Sequence, residues 1–263
     1  MGKQGDRRTE DGGWYGLKSG LEMRLYGFHT CFAVFESRKN DIIRAYVTER
    51  KVKTASAVLK FCADNKKAYH IVTDAELEKI IGSVHHEGIG MVVKKKKPMS
   101  EVEFMKTLLA EPPKPLFFMD GVSNPHNLGA IMRTLAHFGF KWMIGNEDAL
   151  PELSASAART SEGASELVQM VRLREPIEVL NDLKARGYEI IGTSSHNSIS
   201  FKDWTPKAKT ILVLGAESTG ISNEISKICT KQVAIPGTGN VESLNVSVAA
   251  GIFASHLSFG LIK

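Results

Sequence analysis

Short apolar runs, each ended by glycine, proline or a polar turn, alternate along the chain with segments whose apolar residues recur at helical spacing. In the second half such runs predict strands at residues 116–119, 142–144, 188–192, 211–214 and 233–235. Continuous apolar runs are typical of strands buried on both faces of a parallel sheet. Helical spacing elsewhere predicts helices at 127–138, 177–186 and 246–259. This alternation predicts an α/β domain built on a mostly parallel sheet of five or six strands.

The first half alternates in the same way on a smaller scale. Its pattern predicts helices at 28–37, 54–65 and 74–81 and strands at 42–47, 69–72 and 89–93, with Asp74 as the N-cap of the third helix. The chain is thus expected to contain a disordered segment at 1–21, a small α/β domain at 22–97, a proline-rich linker at 98–114 and a larger α/β domain at 115–263. Within the linker, only residues 102–109 have a helical pattern.

Two predicted strands of the larger domain give way to glycine-rich turns, at residues 215–220 and 236–240. Ligands of open α/β sheets bind beyond the carboxyl ends of strands, so these turns predict a ligand site. The first turn lacks the lysine of a phosphate-binding loop, because Ile221 stands in its place. The second lacks the third glycine of a dinucleotide-binding fingerprint, because Glu242 stands there. A nucleotide triphosphatase and a dinucleotide-binding enzyme are therefore disfavoured.

Three segments resemble the signature motifs of the SpoU (TrmH-type) RNA 2'-O-ribose methyltransferases. They are, in order, DGVSNPHNLGAIMRT at residues 120–134, LVLGAESTGIS at 212–222 and VAIPGTGNVESLNVSVAAGI at 233–252. The resemblance implies a trefoil-knotted α/β domain that binds S-adenosylmethionine and methylates a ribose 2'-hydroxyl. The sequence His85-His86-Glu87-Gly88 is similar to the His-x-Gly feature of an L30e-like domain, which implies that residues 22–97 bind the RNA substrate.

The resemblance assigns roles to five polar residues. Arg133 matches the arginine of the first motif, and we expect its permanently charged guanidinium to stabilise the alkoxide that develops on the ribose oxygen. Asn127 lies six residues earlier on another face of the helix, where it fixes a loop or an RNA phosphate, or simply caps the helix. Glu217 matches a structuring or substrate-positioning residue. Ser243 and Asn245 precede the last helix, whose free N–H groups favour polar or anionic ligands.

By the same resemblance, S-adenosylmethionine is held mainly by backbone groups at Thr193, Gly215, Ile235 and Leu244. Backbone contacts of this kind explain why small or apolar residues stand at these positions. The segment Gly237-Thr238-Gly239 departs from the family, many of whose members carry a bulkier residue after the proline. The exact shape of this loop therefore does not follow from the resemblance.

Composition limits the class of protein. The 263 residues are 43% hydrophobic and 24% charged, which predicts a soluble globular chain, and no apolar run approaches the roughly 18 residues of a membrane span. Residues 1–20 show no signal-peptide pattern. The three cysteines, Cys31, Cys62 and Cys229, are isolated in sequence. This spacing argues against disulfides and a zinc site and favours a cytoplasmic protein.

The net charge of +5 is unevenly distributed along the chain. Residues 1–114 contain 21 Lys and Arg against 15 Asp and Glu, a net +6, whereas residues 115–263 contain 13 against 14, a net −1. A basic first module that attracts RNA and a near-neutral second module that modifies it would give this division. The alternative is a solvated lysine-rich face without a partner.

The patterns and the resemblance together predict an S-adenosylmethionine-dependent RNA 2'-O-ribose methyltransferase that uses no metal and acts on ribosomal RNA rather than transfer RNA. A transfer RNA methyltransferase and an RNA-binding protein with a vestigial catalytic domain are the alternatives. The resemblance also implies a homodimer, and the last helix could pack against its copy because it carries more apolar residues than one core face needs. These residues are Val246, Val248, Ile252, Phe253 and Leu257.

Overall fold

The computed structural model describes residues 20–194 and 198–261 of the chain. The chain divides into two compact units, one up to Lys96 and one from Lys97 onwards. Nearly all of the segment predicted to be disordered, 1–21, lies outside the described residues. Within the described part of the chain, no helix is both long enough and apolar enough to cross a membrane.

In its described residues, 20–96, the first unit is a four-stranded mixed sheet with three α-helices. Its elements are β1 (Glu22–Tyr26), α1 (Phe28–Arg38), β2 (Ile42–Thr48), α2 (Ser56–Asp64), β3 (Ala68–Val72), α3 (Asp74–Ile81) and β4 (Ile89–Lys94). The strand order is β1-β4-β2-β3. β4 pairs antiparallel with β1 and β2, and β2 pairs parallel with β3. The predicted small α/β domain is confirmed, with one strand more than the pattern indicates.

Two predictions for this unit are wrong. No strand is predicted before α1, yet β1 pairs with β4 along its whole length. Asp74 does not cap α3, because the N-cap is Thr73. The Thr73 hydroxyl accepts from the Glu76 N–H, and the Glu76 carboxylate accepts from the Thr73 N–H at 2.8 Å. This reciprocal capping box satisfies two N–H groups at once, which a single acidic cap does not.

A further helix, α4 (Glu101–Ala110), occupies most of the predicted linker. Ser100 and Glu103 form a capping box at its N-terminus. Phe104 is fully buried, and its ring meets that of Trp142 at 5.1 Å between centroids. The apolar face of α4 therefore packs into the core of the second unit.

The second unit continues with alternating strands and helices. They are β5 (Leu116–Asp120), α5 (Pro125–His137), β6 (Trp142–Asn146), α6 (Ala155–Thr160), β7 (Gln169–Leu173), α7 (Pro176–Ala185), β8 (Glu189–Thr193), β9 (Ile199–Ser200), β10 (Thr210–Gly215), α8 (Asn223–Ile228), β11 (Lys231–Ala234) and α9 (Val246–Leu261). The strands form one seven-stranded sheet of order β7-β6-β5-β10-β8-β11-β9. Every neighbouring pair in it is parallel.

Alternate side chains of the central strands point to opposite faces of the sheet and pack into two separate hydrophobic cores. In β10, Leu212 and Leu214 join the core that α5 and α9 cover, whereas Ile211 and Val213 join the core that α4 and α7 cover. Burial on both faces explains why these strands read as continuous apolar runs, and it confirms the predicted parallel α/β sheet.

Two edge strands were not predicted, so the count of five or six is too low. β7 carries Gln169 and Arg172 among its five residues, and β9 has only two residues. Neither therefore forms an apolar run that the pattern could reveal. The trefoil knot implied by the family resemblance stays a prediction.

Candidate functional site

The carboxyl ends of adjacent strands lie side by side at one edge of the parallel sheet. Gly215 at the end of β10 pairs with Asp120 at the end of β5, and Thr193 at the end of β8 pairs with Val233 of β11. The Thr193 hydroxyl donates to the carbonyl of Val213 at 2.8 Å, which ties β8 to β10. Two of the predicted cofactor positions, Thr193 and Gly215, therefore share this edge.

Three of the predicted catalytic residues meet at the edge and form what we term the amide–carboxylate corner: Asn127, Glu217 and Asn245. The Asn245 side-chain amide donates to Asn127 Oδ1 at 3.0 Å and to Glu217 Oε1 at 2.7 Å. The Val246 N–H also donates to Glu217 Oε1, at 3.4 Å. The corner thus joins the first turn of α5, the turn after β10 and the start of α9, which are the three signature segments.

Asn127 is buried, with only 8% of its surface exposed, and it is not the cap of its helix. The N-cap of α5 is Asn124, whose Oδ1 accepts from the His126 N–H at 2.9 Å. Pro125 stands at the first helical position, where its missing N–H costs nothing. The prediction that Asn127 could be an ordinary N-cap is therefore wrong. Its side-chain oxygen instead accepts the hydrogen bond from Asn245 in the corner.

The other two predicted catalytic residues stand apart from the corner. Arg133 lies on α5 but is exposed, and it makes no hydrogen bond or ion pair with any described residue. Ser243 is likewise exposed and makes no hydrogen bond within the described part of the chain. Leu244 is 48% exposed. The structure therefore joins Asn127, Glu217 and Asn245 and leaves Arg133 and Ser243 open to solvent.

Gly215 is required by the turn that follows β10. Backbone hydrogen bonds between Ala216 and Gly220, at 3.1 and 2.8 Å, close this turn. A Cβ atom at Gly215 would lie 2.3 Å from the carbonyl carbon of Gly220 and 2.5 Å from the nitrogen of Ile221. A larger residue at 215 would therefore displace the turn itself, whatever ligand binds there, and would not report on cofactor binding alone.

Asp120 is a polar residue of this edge that the motif comparison does not single out. Its Oδ2 accepts from the Ser222 N–H at 2.6 Å, which ties the end of β5 to the N-terminus of α8. Asp120 directly follows the apolar run of β5, and a carboxylate at a strand end beside the site was the signal that could have revealed it.

Within residues 20–194 and 198–261, no side chains indicate thiol or metal chemistry near the edge. Burial raises the pKa of the Cys229 thiol, between α8 and β11, to about 11, so the thiol stays protonated near neutral pH. Among the described residues, no group of three or more His, Cys, Asp and Glu side chains could hold a metal ion.

Comparison with known proteins defines the class. Residues 114–255 match the SpoU rRNA Methylase family, and residues 24–99 match the family described as RNA 2'-O ribose methyltransferase substrate binding. The chain therefore belongs to the SpoU rRNA Methylase family. The first of these regions lies in the second unit, and the other lies in the first unit except for its last three residues, 97–99.

Individual relatives are similar over most of the chain. A protein of Escherichia coli O157:H7 named uncharacterized tRNA/rRNA methyltransferase YfiF is 37% identical over 231 residues, 88% of this chain and 66% of that protein. This chain thus spans about two thirds of the length of YfiF. The 23S rRNA (guanosine-2'-O-)-methyltransferase RlmB of Neisseria meningitidis serogroup B is 30% identical over 233 residues, 88% of this chain and 92% of that protein.

The fold is also that of a solved structure. The SpoU methyltransferase AviRb from Streptomyces viridochromogenes, crystallised with the cofactor AdoMet, aligns with a TM-score of 0.74 over 93% of this chain and 94% of that one. At 19% sequence identity, this likeness concerns the fold alone.

Proposed function

We propose that this protein transfers a methyl group from S-adenosylmethionine to the 2'-hydroxyl of a ribose in structured RNA, with 23S-type ribosomal RNA as the substrate. The observation that carries the proposal is the amide–carboxylate corner, which joins all three signature segments at the carboxyl edge of the sheet. All five polar residues that the resemblance assigns to catalysis are present. Their presence disfavours a vestigial domain that only binds RNA.

The four positions proposed to hold the cofactor fit an adenosyl group. Thr193 and Gly215 lie at the ends of neighbouring strands. The side chain of Ile235 is partly buried and packs against the core, and the apolar side chain of Leu244 is about half exposed. An adenosyl group needs apolar contacts together with a few backbone hydrogen-bonding groups, and these positions supply both. When bound, S-adenosylmethionine supplies a methyl group attached to a positively charged sulfur.

The chain's own residues place the ribose and stabilise charge. Arg133 is exposed and has no described partner, so its guanidinium is available to a ribose oxygen and to a neighbouring phosphate oxygen at the same time. There it stabilises the negative charge that develops on the attacking oxygen. The corner fixes the start of α5 against the turn after β10, and alignment of the reacting groups is itself a large part of the rate gain.

The first unit is proposed to bind the RNA. Residues 1–114 carry a net charge of +6, and phosphate contacts supply affinity without sequence preference. The RlmB relative is named for 23S ribosomal RNA and for guanosine, and this supports ribosomal RNA as the substrate. The YfiF relative is named for both transfer and ribosomal RNA, so transfer RNA stays the alternative. Either RNA fits the cytoplasmic location that the isolated cysteines favour.

A homodimer is proposed through the outer face of α9. The inner face of this helix, including Val246, Phe253 and Leu257, is buried in the core of its own unit. On the outer face Val248 is 50% exposed, and Phe259 is 70% exposed. They border an open apolar groove that a second copy could cover symmetrically. Light scattering at micromolar concentration should give the mass of two chains, and a monomer would contradict the dimer.

Methylation of RNA from cells lacking this protein tests the function. The purified protein is incubated with S-adenosylmethionine carrying a tritiated methyl group and with either ribosomal or transfer RNA from those cells. We expect label in the large-subunit ribosomal RNA, at one nucleotide that becomes resistant to alkaline cleavage because its 2'-oxygen is blocked. Label only in transfer RNA would select the alternative substrate. Calorimetry that detects no binding of S-adenosylmethionine would exclude the enzymatic function.

A further inference from the structure

All four phenylalanines of the first unit lie in one row along α1 and α2. Phe28, Phe32 and Phe35 recur at helical spacing on one side of α1, and Phe61 lies on α2. Consecutive ring centroids are 4.4, 6.4 and 5.7 Å apart, so each ring packs against the next. We term these four side chains the phenylalanine row.

The phenylalanine row lies beside the core of the first unit rather than in it. α1 buries Thr30, Cys31 and Val34, and α2 buries Val58 and Cys62, so each helix has a buried face without the row. The four rings of the row stay partly exposed, although phenylalanine is among the residues that are most often buried completely. A row of aromatic rings at the surface is therefore a candidate binding surface.

Lysine ammonium groups cover the two ends of the row. At one end, Lys51 Nζ lies 5.4 Å from the centroid of the Phe28 ring. At the other end, Lys39 Nζ and Lys67 Nζ lie 5.5 and 5.9 Å from the centroid of the Phe61 ring. The negative face of an aromatic ring attracts a cation at such distances. Among the described residues, no carboxylate pairs with Lys39 or Lys51, so their charge is available to an anion.

The positive charge of the first unit is concentrated in the part of the chain that builds the row. Residues 28–67, from the start of α1 to the residue before β3, contain 9 Lys and Arg against 4 Asp and Glu, a net +5. Residues 68–94, which include β3, α3 and β4, contain 2 against 4, a net −2. The row therefore lies in the part of the unit that attracts a polyanion, and its lysines disfavour a purely apolar partner.

The two middle rings, Phe32 and Phe35, have no ammonium group over them in the described part of the chain. The row thus presents positive charge at both ends and aromatic surface between them. Single-stranded RNA has the complementary pattern, because each nucleotide carries a base that can stack and a phosphate. The bases of a duplex are already stacked and paired with one another, so they cannot stack on a protein ring.

We infer that the phenylalanine row binds about two or three unpaired nucleotides of RNA, and this inference rests on the proposed binding of RNA by the first unit. The bases stack against Phe32 and Phe35, and the flanking phosphates meet Lys51 at one end and Lys39 at the other. The first unit thereby selects unpaired segments of a structured RNA, a distinction that phosphate contacts alone do not make.

Binding of short RNAs tests the base contacts. Fluorescence anisotropy measures the affinity of the full-length protein for a labelled, unstructured single strand and for a duplex of equal charge. Phe32→Leu combined with Phe35→Leu should weaken single-strand binding by about tenfold or more, because leucine is apolar but has no π-face. The affinity for the duplex should change by less than about twofold, because it depends on phosphate contacts. An equal loss for both RNAs would contradict base stacking.

Two control variants separate stacking from folding. Phe32→Tyr combined with Phe35→Tyr keeps an aromatic face at both positions and should retain the single-strand affinity of the unaltered protein. Phe138→Leu alters a partly exposed phenylalanine of the second unit and should leave both affinities unchanged. Thermal melting shows whether each variant is folded.

Lys39→Gln combined with Lys51→Gln tests the ends of the row. Removal of two phosphate contacts should weaken single-strand binding and reduce the slope of log affinity against log salt by about 1.4, at about 0.7 for each contact. The leucine variant should keep the slope of the unaltered protein, because its phosphate contacts remain. An unchanged slope in the glutamine variant would contradict the placement of phosphates at these ends.

Photochemical cross-linking locates the contact in the unaltered protein. A single strand that carries 5-iodouridine couples on irradiation to an aromatic side chain stacked on the base, and mass spectrometry should find the adduct in α1. Cross-links confined to the second unit would overturn the inference. If the leucine variant keeps its RNA affinity and instead loses the dimer in light scattering, the row is an interface between copies and the inference is wrong.

Failure of this inference can be told apart from failure of the proposed function. If the leucine variant binds the single strand normally and the unaltered protein methylates ribosomal RNA, only the inference is wrong. If the unaltered protein binds neither RNA, the assignment of RNA binding to the first unit fails together with the inference.

Discussion

Helix α5 carries a polar residue of the site on each of two sides, one buried and hydrogen-bonded and the other exposed. On the inner side, Asn127 is buried and held by Asn245, which is in turn held by Glu217. On the outer side, Arg133 is exposed and meets no described partner. The first signature segment thus contains, within two helical turns, one side chain that is held by a hydrogen bond and one that has no described partner.

The difference separates residues that shape the site from residues that can act in it. Both amide hydrogens of Asn245 are donated within the corner and its oxygen accepts from the Ser247 N–H, so Asn245 itself has little hydrogen-bonding capacity left for a ligand. No described residue occupies the donors of the Arg133 guanidinium, so they are available to substrate. Loss of a corner residue should therefore appear mainly as lost stability, and loss of Arg133 mainly as lost turnover.

The largest expected effect is that of Arg133→Ala. Without the cation beside the developing alkoxide, single-turnover methylation should fall by about 10²–10³-fold. The melting temperature and the affinity for S-adenosylmethionine should stay close to those of the unaltered protein, because Arg133 supports nothing else within the described residues. Rapid-quench methylation, thermal melting and calorimetry measure the three quantities.

Two further variants qualify that result. Arg133→Lys should recover only part of the rate, because an ammonium cannot engage two oxygens as a planar fork does. Arg186→Ala removes an exposed arginine at the end of α7 and should leave the rate unaltered. If Arg133→Ala methylates saturating RNA at a near-normal rate, Arg133 acts in RNA affinity alone.

The next largest effect concerns RNA affinity. The contrast between the two sides of α5 makes no prediction about it, because RNA binding is proposed for the first unit. A chain that begins at Lys97 keeps α4 and its buried Phe104, whereas one that begins at Pro115 would lack part of the core. The shorter protein should bind S-adenosylmethionine normally but bind RNA at least about tenfold more weakly at 0.1 M salt, with a shallower salt dependence. Filter binding over a salt series measures both.

Replacing Lys94, Lys95 and Lys96 together by glutamine provides a milder version in the intact chain. These lysines are exposed at the end of the first unit, so their loss should weaken RNA binding without altering the fold. RNA affinity that is the same with and without the first unit would refute its assignment to substrate binding.

Most of the fold could be predicted because buried strands are visible in the sequence as runs of apolar residues. The central strands of the second unit are buried on both faces and therefore form apolar runs, as Ile211 to Leu214 show. The edge strands β7 and β9 leave no such trace. The capping box at Thr73 was missed because a neighbouring acidic residue, Asp74, gives a plausible signal of its own.

The residues of the site could be predicted from the sequence, but the hydrogen bonds between them could not. Residue types and their order identify Asn127, Glu217 and Asn245, yet these residues are up to 118 positions apart in sequence, and their shared hydrogen bonds depend on tertiary packing. The need for glycine at 215 likewise follows from the closure of its own turn, which no motif states. The roles of all nine assigned residues stay predictions.

A smaller effect is expected from Asn245→Ala, which opens the corner. The change removes the partner of the buried Asn127 side chain and the acceptor for the Ser247 N–H at the start of α9. Loss of one cap and one buried hydrogen bond should lower the free energy of unfolding by about 2 kcal/mol. Urea denaturation measures this change.

Ser243→Ala is the control for stability, because Ser243 is exposed nearby and makes no described hydrogen bond. Its free energy of unfolding should change by less than about 0.5 kcal/mol. If Asn245→Ala is as stable as Ser243→Ala but loses turnover about as severely as Arg133→Ala, the corner would be a catalytic group and the comparison would fail.

The smallest expected effect, that of Glu217→Gln, separates the charge of the corner from its hydrogen bonds. The glutamine keeps an oxygen that can accept from the Asn245 amide and the Val246 N–H, so the corner should stay closed. What disappears is a negative charge at the N-terminus of α9, where an anion stabilises a helix by about 0.3–1 kcal/mol. The melting temperature should therefore fall only slightly. Turnover should stay within about threefold of the unaltered value, because the hydrogen bonds that hold the corner are kept. Glu217→Ala, which removes the oxygen as well, should be less stable than Glu217→Gln. A large loss of turnover in Glu217→Gln at unchanged stability would mean that the carboxylate charge acts on the substrate, and Glu217 would then belong with Arg133.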